Sequence, residues 1–166
     1  MRLDQIPSGS TLFVDSSIFI YHFTGASADC RSFLERCERG NVRGVTSVIV
    51  LAEVAHRLMM IEALARGLVP PGNLARKLRE KPKIVRQLHL YQEQVEQIPL
   101  MGFQVLSLEL GSLIRSAELR RRYGLLTHDA LVATAALEAG LTAIASADQD
   151  FERLPDVRLF CPADLV

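Results

Sequence analysis

Short apolar runs alternate along this chain with longer stretches of helical spacing. Leu12-Phe13-Val14 reads as a buried strand, after which Ser16 or Ser17 can cap a helical turn from Ile18 to His22. Beyond Gly25, Ser27 or Asp29 can start a helix reaching about Arg39, with Phe33, Leu34 and Cys37 facing inward and Gly40-Asn41 as its stop. Val42 to Thr46 is a second strand. Ser47 then caps a long helix, apolar from Val48 to Leu64, that ends at Gly67 ahead of Pro70-Pro71-Gly72.

The middle of the chain is less regular. Asn73 can cap a short basic helix, Pro82 interrupts it, and Ile84 to Ile98 resumes with helical spacing until Pro99, so two or three helices and no strand are expected here. Phe103 to Leu106 alternates as a third strand. Leu108 to Arg122 is helical, with Leu110, Leu113, Ile114 and Ala117 on one side and Gly124 as its stop. Thr127 caps a further helix that buries Leu131, Val132, Ala135, Ala136 and Ala139, stops at Gly140 and hands over to the strand Thr142 to Ala145. Asp156 to Phe160 reads as a last, edge strand. Strands joined through helices need crossover connections, so the pattern predicts a three-layer α/β fold with a central, mostly parallel sheet of four or five strands flanked by helices.

With 166 residues and 49% apolar side chains, the chain is expected to form a single domain over 1–166, carrying an extended helical segment at about 66–99. The formal net charge is zero, so no overall basic field announces a nucleic-acid partner and any such contact must be local. Cys30, Cys37 and Cys161 fit no metal-ligand spacing. On one helix Cys30 and Cys37 would lie roughly 10 Å apart, beyond disulfide reach. Free thiols suit a cytoplasmic protein, and no apolar run reaches the length of a signal or a membrane span, so no membrane partner is expected.

Four acids interrupt this apolar frame. Asp15 closes the first strand, Glu53 breaks the run Val48-Ile49-Val50-Leu51-Ala52, Asp129 precedes Ala130-Leu131-Val132-Ala133, and Asp148 follows Thr142 to Ala147. Each has a plain structural reading. Asp15 is a good helix N-cap, Glu53 can pair with Arg57 one turn on, Asp129 suits the positive end of its helix, and Asp148 and Asp150 can form a loop turn. His128 reads as a surface histidine. Convergence of four acids at one end of the same sheet is not something separate structural needs require, and open parallel sheets bind ligands at the carboxyl ends of their strands. Carboxylates gathered out of water repel each other and call for a cation.

In four segments the chain resembles the PIN-domain nucleases, and within them the VapC-type toxins of bacterial and archaeal toxin–antitoxin pairs. They are Phe13-Val14-Asp15-Ser16-Ser17-Ile18-Phe19-Ile20-Tyr21, Ser47-Val48-Ile49-Val50-Leu51-Ala52-Glu53-Val54, Thr127-His128-Asp129-Ala130-Leu131-Val132-Ala133-Thr134-Ala135 and Ile144-Ala145-Ser146-Ala147-Asp148-Gln149-Asp150-Phe151. The resemblance implies a PIN-like fold and an acidic metal-binding quartet at Asp15, Glu53, Asp129 and Asp148, with Asp150 as an additional acidic neighbour. It also implies that Ser16 and Ser146 orient the site. Two departures stand out: Ser17 occupies a position where many members have Asn, and the stretch from about Arg66 to Pro99 is longer than in the smallest toxins.

The chemistry so implied is Mg²⁺- or Mn²⁺-dependent hydrolysis of RNA, in which a metal-activated water attacks the phosphodiester and leaves 5′-phosphate and 3′-hydroxyl ends. Acids alone repel RNA, so positive charge is needed nearby. Arg76, Lys77, Arg79, Lys81, Lys83 and Arg86 form one candidate RNA-binding segment, and Arg115, Arg120, Arg121 and Arg122 a second; a solvated helix face is the alternative for both. The resemblance further implies a homodimer and a small antitoxin that delivers a basic side chain into the acidic pocket. Two other readings compete. A phosphotransferase of the haloacid dehalogenase type wants a second Asp where Ser17 stands, and a catalytically silent PIN-like module would bind RNA or protein without keeping all four acids.

Overall fold

The computed structural model describes residues 1–165 and shows one all-parallel sheet of five strands in the order β3-β2-β1-β4-β5. They are β1 (Thr11–Val14), β2 (Arg43–Ser47), β3 (Gln104–Leu106), β4 (Ala143–Ala145) and β5 (Arg158–Phe160). The helices are α1 (Ser16–Thr24), α2 (Ala28–Glu38), α3 (Val48–Ala65), α4 (Leu74–Glu80), α5 (Pro82–Val85), α6 (Leu90–Leu100), α7 (Leu110–Tyr123) and α8 (Thr127–Glu138). The predicted α/β class with helices flanking a parallel sheet is therefore what the chain adopts.

Central β1 explains why Leu12-Phe13-Val14 has no polar face: all three are buried, as in parallel sheets covered on both sides. Phe13 pairs with Val45 of β2 on one flank and with Ile144 of β4 on the other. The chain passes from β1 to β2 on one side and reaches β4 on the other. The carboxyl end of β1 is thus a topological switch point, where such sheets leave a crevice. Gly44 in β2 has a steric reason: a Cβ there would come within 2.1 Å of the Phe103 ring, which packs edge-on to Phe19 at 5.1 Å. At the far end of α7, Gly124 takes φ of 69° and closes the helix in the left-handed conformation.

Three details differ from the pattern reading. The middle holds three helices, within the two or three expected, but Ile84 to Ile98 is not continuous: it breaks between α5 and α6, where the backbone N–H groups of His89 and Tyr91 donate to the buried carboxylate of Glu62 at 3.2 and 3.0 Å. Glu62 also accepts from Arg66 at 2.9 Å, and Arg66 reaches the Gln87 carbonyl at the same distance. This clamp fastens the extended segment to α3, beside a small apolar cluster of Ala63, Val69, Leu78 and Leu88.

The second difference is the inner face of α7. Ser112 and Ser116 are the buried residues, whereas Leu110, Leu113 and Ile114 are 71, 42 and 65% exposed. Small side chains let α7 approach α8 closely, and Ser112 seals the contact by donating to Glu138 at 2.7 Å. The third concerns caps. Asp15, Ser47 and Leu126 hold the N-cap positions of α1, α3 and α8, and none makes a side-chain cap bond, while Ser27 and Asn73 cap α2 and α4 as expected. Cys30, Cys37 and Cys161 are free thiols, and among the described residues no helix is long and apolar enough to cross a membrane.

Candidate metal centre

Asp15, Glu53, Asp129 and Asp148 line one pocket of about 250 Å³, together with Ser16, Ser17, Ile20, Tyr21, Arg57 and His128. Four elements bring them there. Asp15 follows β1, Glu53 lies in the second turn of α3 after β2, Asp129 sits in the first turn of α8, and Asp148 follows β4.

Asp15 is only 5% exposed. Although it occupies the N-cap position of α1, its carboxylate does not cap the helix, so the commonest structural explanation for it fails. Its Oδ2 instead accepts from Ser146 Oγ at 2.7 Å and Ser17 Oγ at 2.9 Å. Each hydroxyl has one proton to give, and each also accepts from backbone: Ser146 from Asp148 N and Ser17 from Ala147 N, both at 3.0 Å. Ser16 Oγ donates to Glu53 Oε2 at 2.8 Å, leaving only a 3.4 Å approach to Asp15 Oδ1. Three serines therefore set the orientation of two carboxylates and leave Oδ1 of Asp15 without a committed hydroxyl.

Burial is the largest influence on Asp15 and pushes its pKa up. Hydrogen bonds from Ser146, the Ser16 backbone and Ser17 pull the other way, and the charge of Glu53 adds to the rise. Among the described residues no cationic side chain is bonded to it. His128 turns into the pocket rather than toward solvent, with Nε2 at 3.0 Å from Glu53 and Nδ1 at 3.9 Å from Asp129. Its Nε2 is buried without an aligned hydrogen bond. Asp129 raises the His128 pKa against the effect of burial, with further contributions from Glu53 and Asp15.

A divalent ion suits this donor set. The four acids supply hard oxygens, one of them a buried carboxylate with a free oxygen, and Mg²⁺ or Mn²⁺ takes such ligands. Among the described residues no three acidic, histidine or cysteine side chains form a ready-made chelate. Mg²⁺ usually keeps several waters and takes one or two carboxylates directly, so such a chelate is not required of the site.

A profile of the PIN domain family matches residues 12–157. The chain belongs to this family. It is 27% identical over 143 residues to Ribonuclease VapC2 of Methanocaldococcus jannaschii, a match that covers 86% of this chain and 88% of that protein. The PIN fold is shared with a crystal structure of VapBC2 from Rickettsia felis bound to a promoter DNA fragment (TM-score 0.59, 17% identity, 92% of this chain and 98% of that one). It is shared also with a toxin–antitoxin complex from Klebsiella pneumoniae (TM-score 0.55, 22% identity, 89% and 95%). A third structure is Mycobacterium tuberculosis VapC20, described as a sarcin-ricin loop cleaving toxin (TM-score 0.59, 17% identity, 89% and 98%).

The other sequence candidates lie apart from the PIN pocket. Asp150 pairs with Arg153 at 2.7 Å and donates its backbone N–H to Asp148 Oδ1 at 2.8 Å, so Asp148 both lines the pocket and forms the loop turn. Arg76, Lys77, Arg79, Lys81 and Lys83 are on or between α4 and α5, where Lys77 is tied to the Pro70 carbonyl at 2.9 Å. Arg120, Arg121 and Arg122 form the last turn of α7; Arg120 donates to Thr127 Oγ1 at 3.2 Å and Arg121 to Glu118 at 3.3 Å. Sequence reasoning took His128 for a surface histidine, noted Ser17 only as a possible cap and a departure from Asn, considered Arg57 only as a partner for Glu53, and did not single out Tyr21. Ser17 and His128 each stand within two positions of an acid already singled out, which is the signal that could have found them.

Proposed function

We propose that this PIN domain is a Mg²⁺- or Mn²⁺-dependent endoribonuclease and the toxin of a toxin–antitoxin pair, acting in the cytoplasm as a single domain over 1–166. The observation that carries the reading is Asp15: a buried carboxylate, freed from capping, held by hydroxyls and facing three further acids, with no cationic side chain among the described residues bonded to it. Similarity to a protein named as a ribonuclease and to toxin–antitoxin structures supports the choice of RNA and of partner.

Asp15, Glu53, Asp129 and Asp148 would hold the ion directly or through water. The ion would supply an activated water and neutralise charge on the phosphate being attacked. Ser146 and Ser17 keep Asp15 oriented, and Ser16 does the same for Glu53. His128, its pKa raised chiefly by Asp129, stands between Glu53 and Asp129. The basic residues of α4 and α5 and of the last turn of α7 would meet the RNA backbone beyond the pocket.

The partner surface of the same reading is the outer face of α7 and α8, where Leu110, Leu113, Ile114 and Leu137 are exposed. Arg115 pairs with Glu138 and Arg121 with Glu118, so the rim carries both signs in balance and a second copy can approach without like-charge repulsion. The antitoxin would place a basic side chain in the acidic pocket. A short DNA-binding-type reading frame directly upstream, whose product blocks cleavage, is the expected genetic companion.

The test is cleavage of a labelled panel of structured RNAs with Mg²⁺, with Mn²⁺ and with EDTA, alongside Asp15→Asn. Metal-dependent cutting that is lost in the variant, with 5′-phosphate products, is expected. A 2′,3′-cyclic phosphate product would contradict the mechanism, and RNA binding without cutting under every condition would point to a silent binding module.

A further inference from the structure

Arg57 lies one helical turn beyond Glu53 on α3, the spacing at which a carboxylate and a guanidinium normally pair. They do not pair here. Glu53 Oε2 is engaged by Ser16 Oγ at 2.8 Å and approached by His128 Nε2 at 3.0 Å. Among the described residues no carboxylate or carbonyl binds the Arg57 side chain, yet it lines the same pocket as the four acids. Helical side chains lean toward the N-terminus, so an arginine at this position lies over the turn that carries Glu53. It is also exposed, so packing gives no reason for it.

We infer that Arg57 is a substrate-binding residue, whose guanidinium grips a phosphate of the RNA strand beside the acidic pocket and keeps the strand close to carboxylates that would otherwise repel it. The inference rests on the ribonuclease reading and adds to it a named RNA contact inside the pocket. Guanidinium offers a planar fork of donors that matches two phosphate oxygens, a geometry that an ammonium lacks. The basic residues of α4, α5 and α7 lie outside the pocket, which leaves Arg57 as the arginine among its lining residues.

The test measures binding of a short labelled single-stranded oligoribonucleotide as a function of salt, in the Asp15→Asn background so that nothing is cut, with and without Arg57→Ala and Arg57→Lys. Loss of one phosphate contact on a single strand is expected to reduce the slope of log affinity against log salt by about 0.7, and to weaken binding about tenfold at low salt. Arg57→Lys should keep the slope and recover only part of the affinity. With Asp15 intact, Arg57→Ala should raise KM about tenfold and change kcat less than about threefold, a split that a merely structural residue would not give.

If the wild type cuts RNA but Arg57→Ala leaves slope and KM unchanged, the inference about Arg57 is overturned and the nuclease reading stands. Tighter Mn²⁺ binding and faster cutting in Arg57→Ala would also overturn it, by marking Arg57 as an internal counter-ion of the acids. If the wild type never cuts but Arg57→Ala still lowers the slope, the nuclease reading falls and Arg57 stands as an RNA contact. Absence of RNA binding by the wild type overturns both.

Discussion

Two buried carboxylates in this molecule, Asp15 and Glu62, have opposite electrostatic surroundings. Glu62 on α3 is a finished site: burial would raise its pKa, but the backbone N–H groups of Tyr91 and His89 and the Arg66 guanidinium outweigh that and hold it below the usual carboxylate value. Asp15 is an unfinished one. It accepts hydrogen bonds from the Ser146 and Ser17 hydroxyls and, among the described residues, none from a cationic side chain, and burial beside Glu53 leaves its pKa raised. A fold that can satisfy a buried acid with two amides and an arginine, as it does for Glu62, leaves Asp15 short of a cation. That difference separates an acid that fastens the structure from one that the proposed function assigns to a cation.

The comparison breaks most sharply under neutralisation. Asp15→Asn removes charge at nearly constant shape, so RNA cleavage should fall by about a hundredfold or more while the melting temperature stays level or rises, because a poorly compensated buried charge is gone. Glu62→Ala should do the reverse. It orphans two backbone donors and breaks a charged contact, and urea unfolding should show a loss of about 2–3 kcal/mol with cleavage by the remaining folded protein intact. If both variants lost activity and stability in parallel, the two carboxylates would not differ in kind.

Acid titration sharpens the same contrast through its sign. Glu62 has a lowered pKa, so its stabilisation is present above its unfolded value of 4.5 and is lost as pH falls through the folded value. Asp15 has a pKa raised from 3.8, so the folded state holds its proton more tightly and the penalty for burying the charge is relieved as pH falls. Measured by denaturant unfolding against pH, Glu62→Gln should flatten the acid loss of stability, whereas Asp15→Asn should steepen it. Smaller effects come from the supports. Ser146→Ala, which removes one donor to Asp15 and the acceptor for Asp148 N, should lower cleavage about tenfold with the fold retained.

The smallest expected effect on the fold is at the outer face of α7, where Ile114 is 65% exposed: Ile114→Asp should turn the proposed dimer into a monomer in sedimentation with little change in melting temperature. This face also marks a limit of pattern reading. Apolar residues at helical spacing placed Leu110, Leu113 and Ile114 on one side of the helix, but the close approach of α7 to α8 selects Ser112 and Ser116 for the interface. Periodicity reports that a helix has an apolar face and is silent on whether that face meets its own core or another surface. Likewise, no Pro or Gly announces the break at residues 86–89, because the signal is Glu62, some 25 positions earlier in the chain, accepting from His89 and Tyr91.

Strands were legible for a physical reason. Short, wholly apolar runs such as Leu12-Phe13-Val14 have few alternatives to a covered parallel sheet, and the order of acids at their ends follows from crossover topology. The candidate pocket was legible as charge in an apolar setting: Asp15, Glu53, Asp129 and Asp148 do line one cavity. What surrounds them was not. Whether His128 points inward, whether Ser17 can stand in a position often held by Asn, and whether Arg57 pairs with Glu53 all depend on rotamers and on the few ångströms between elements distant in sequence. Ser17 answers for itself, giving a proton to Asp15 and taking one from Ala147 N.

The most direct test of the pocket as a cation site is calorimetric titration of Mn²⁺ into the wild type and into Asp15→Asn, with Glu62→Gln as the reference acid. Saturable binding that is present in the wild type and in Glu62→Gln and absent in Asp15→Asn is the predicted result; equal binding in all three would contradict the assignment of Asp15 and its neighbours to a metal centre.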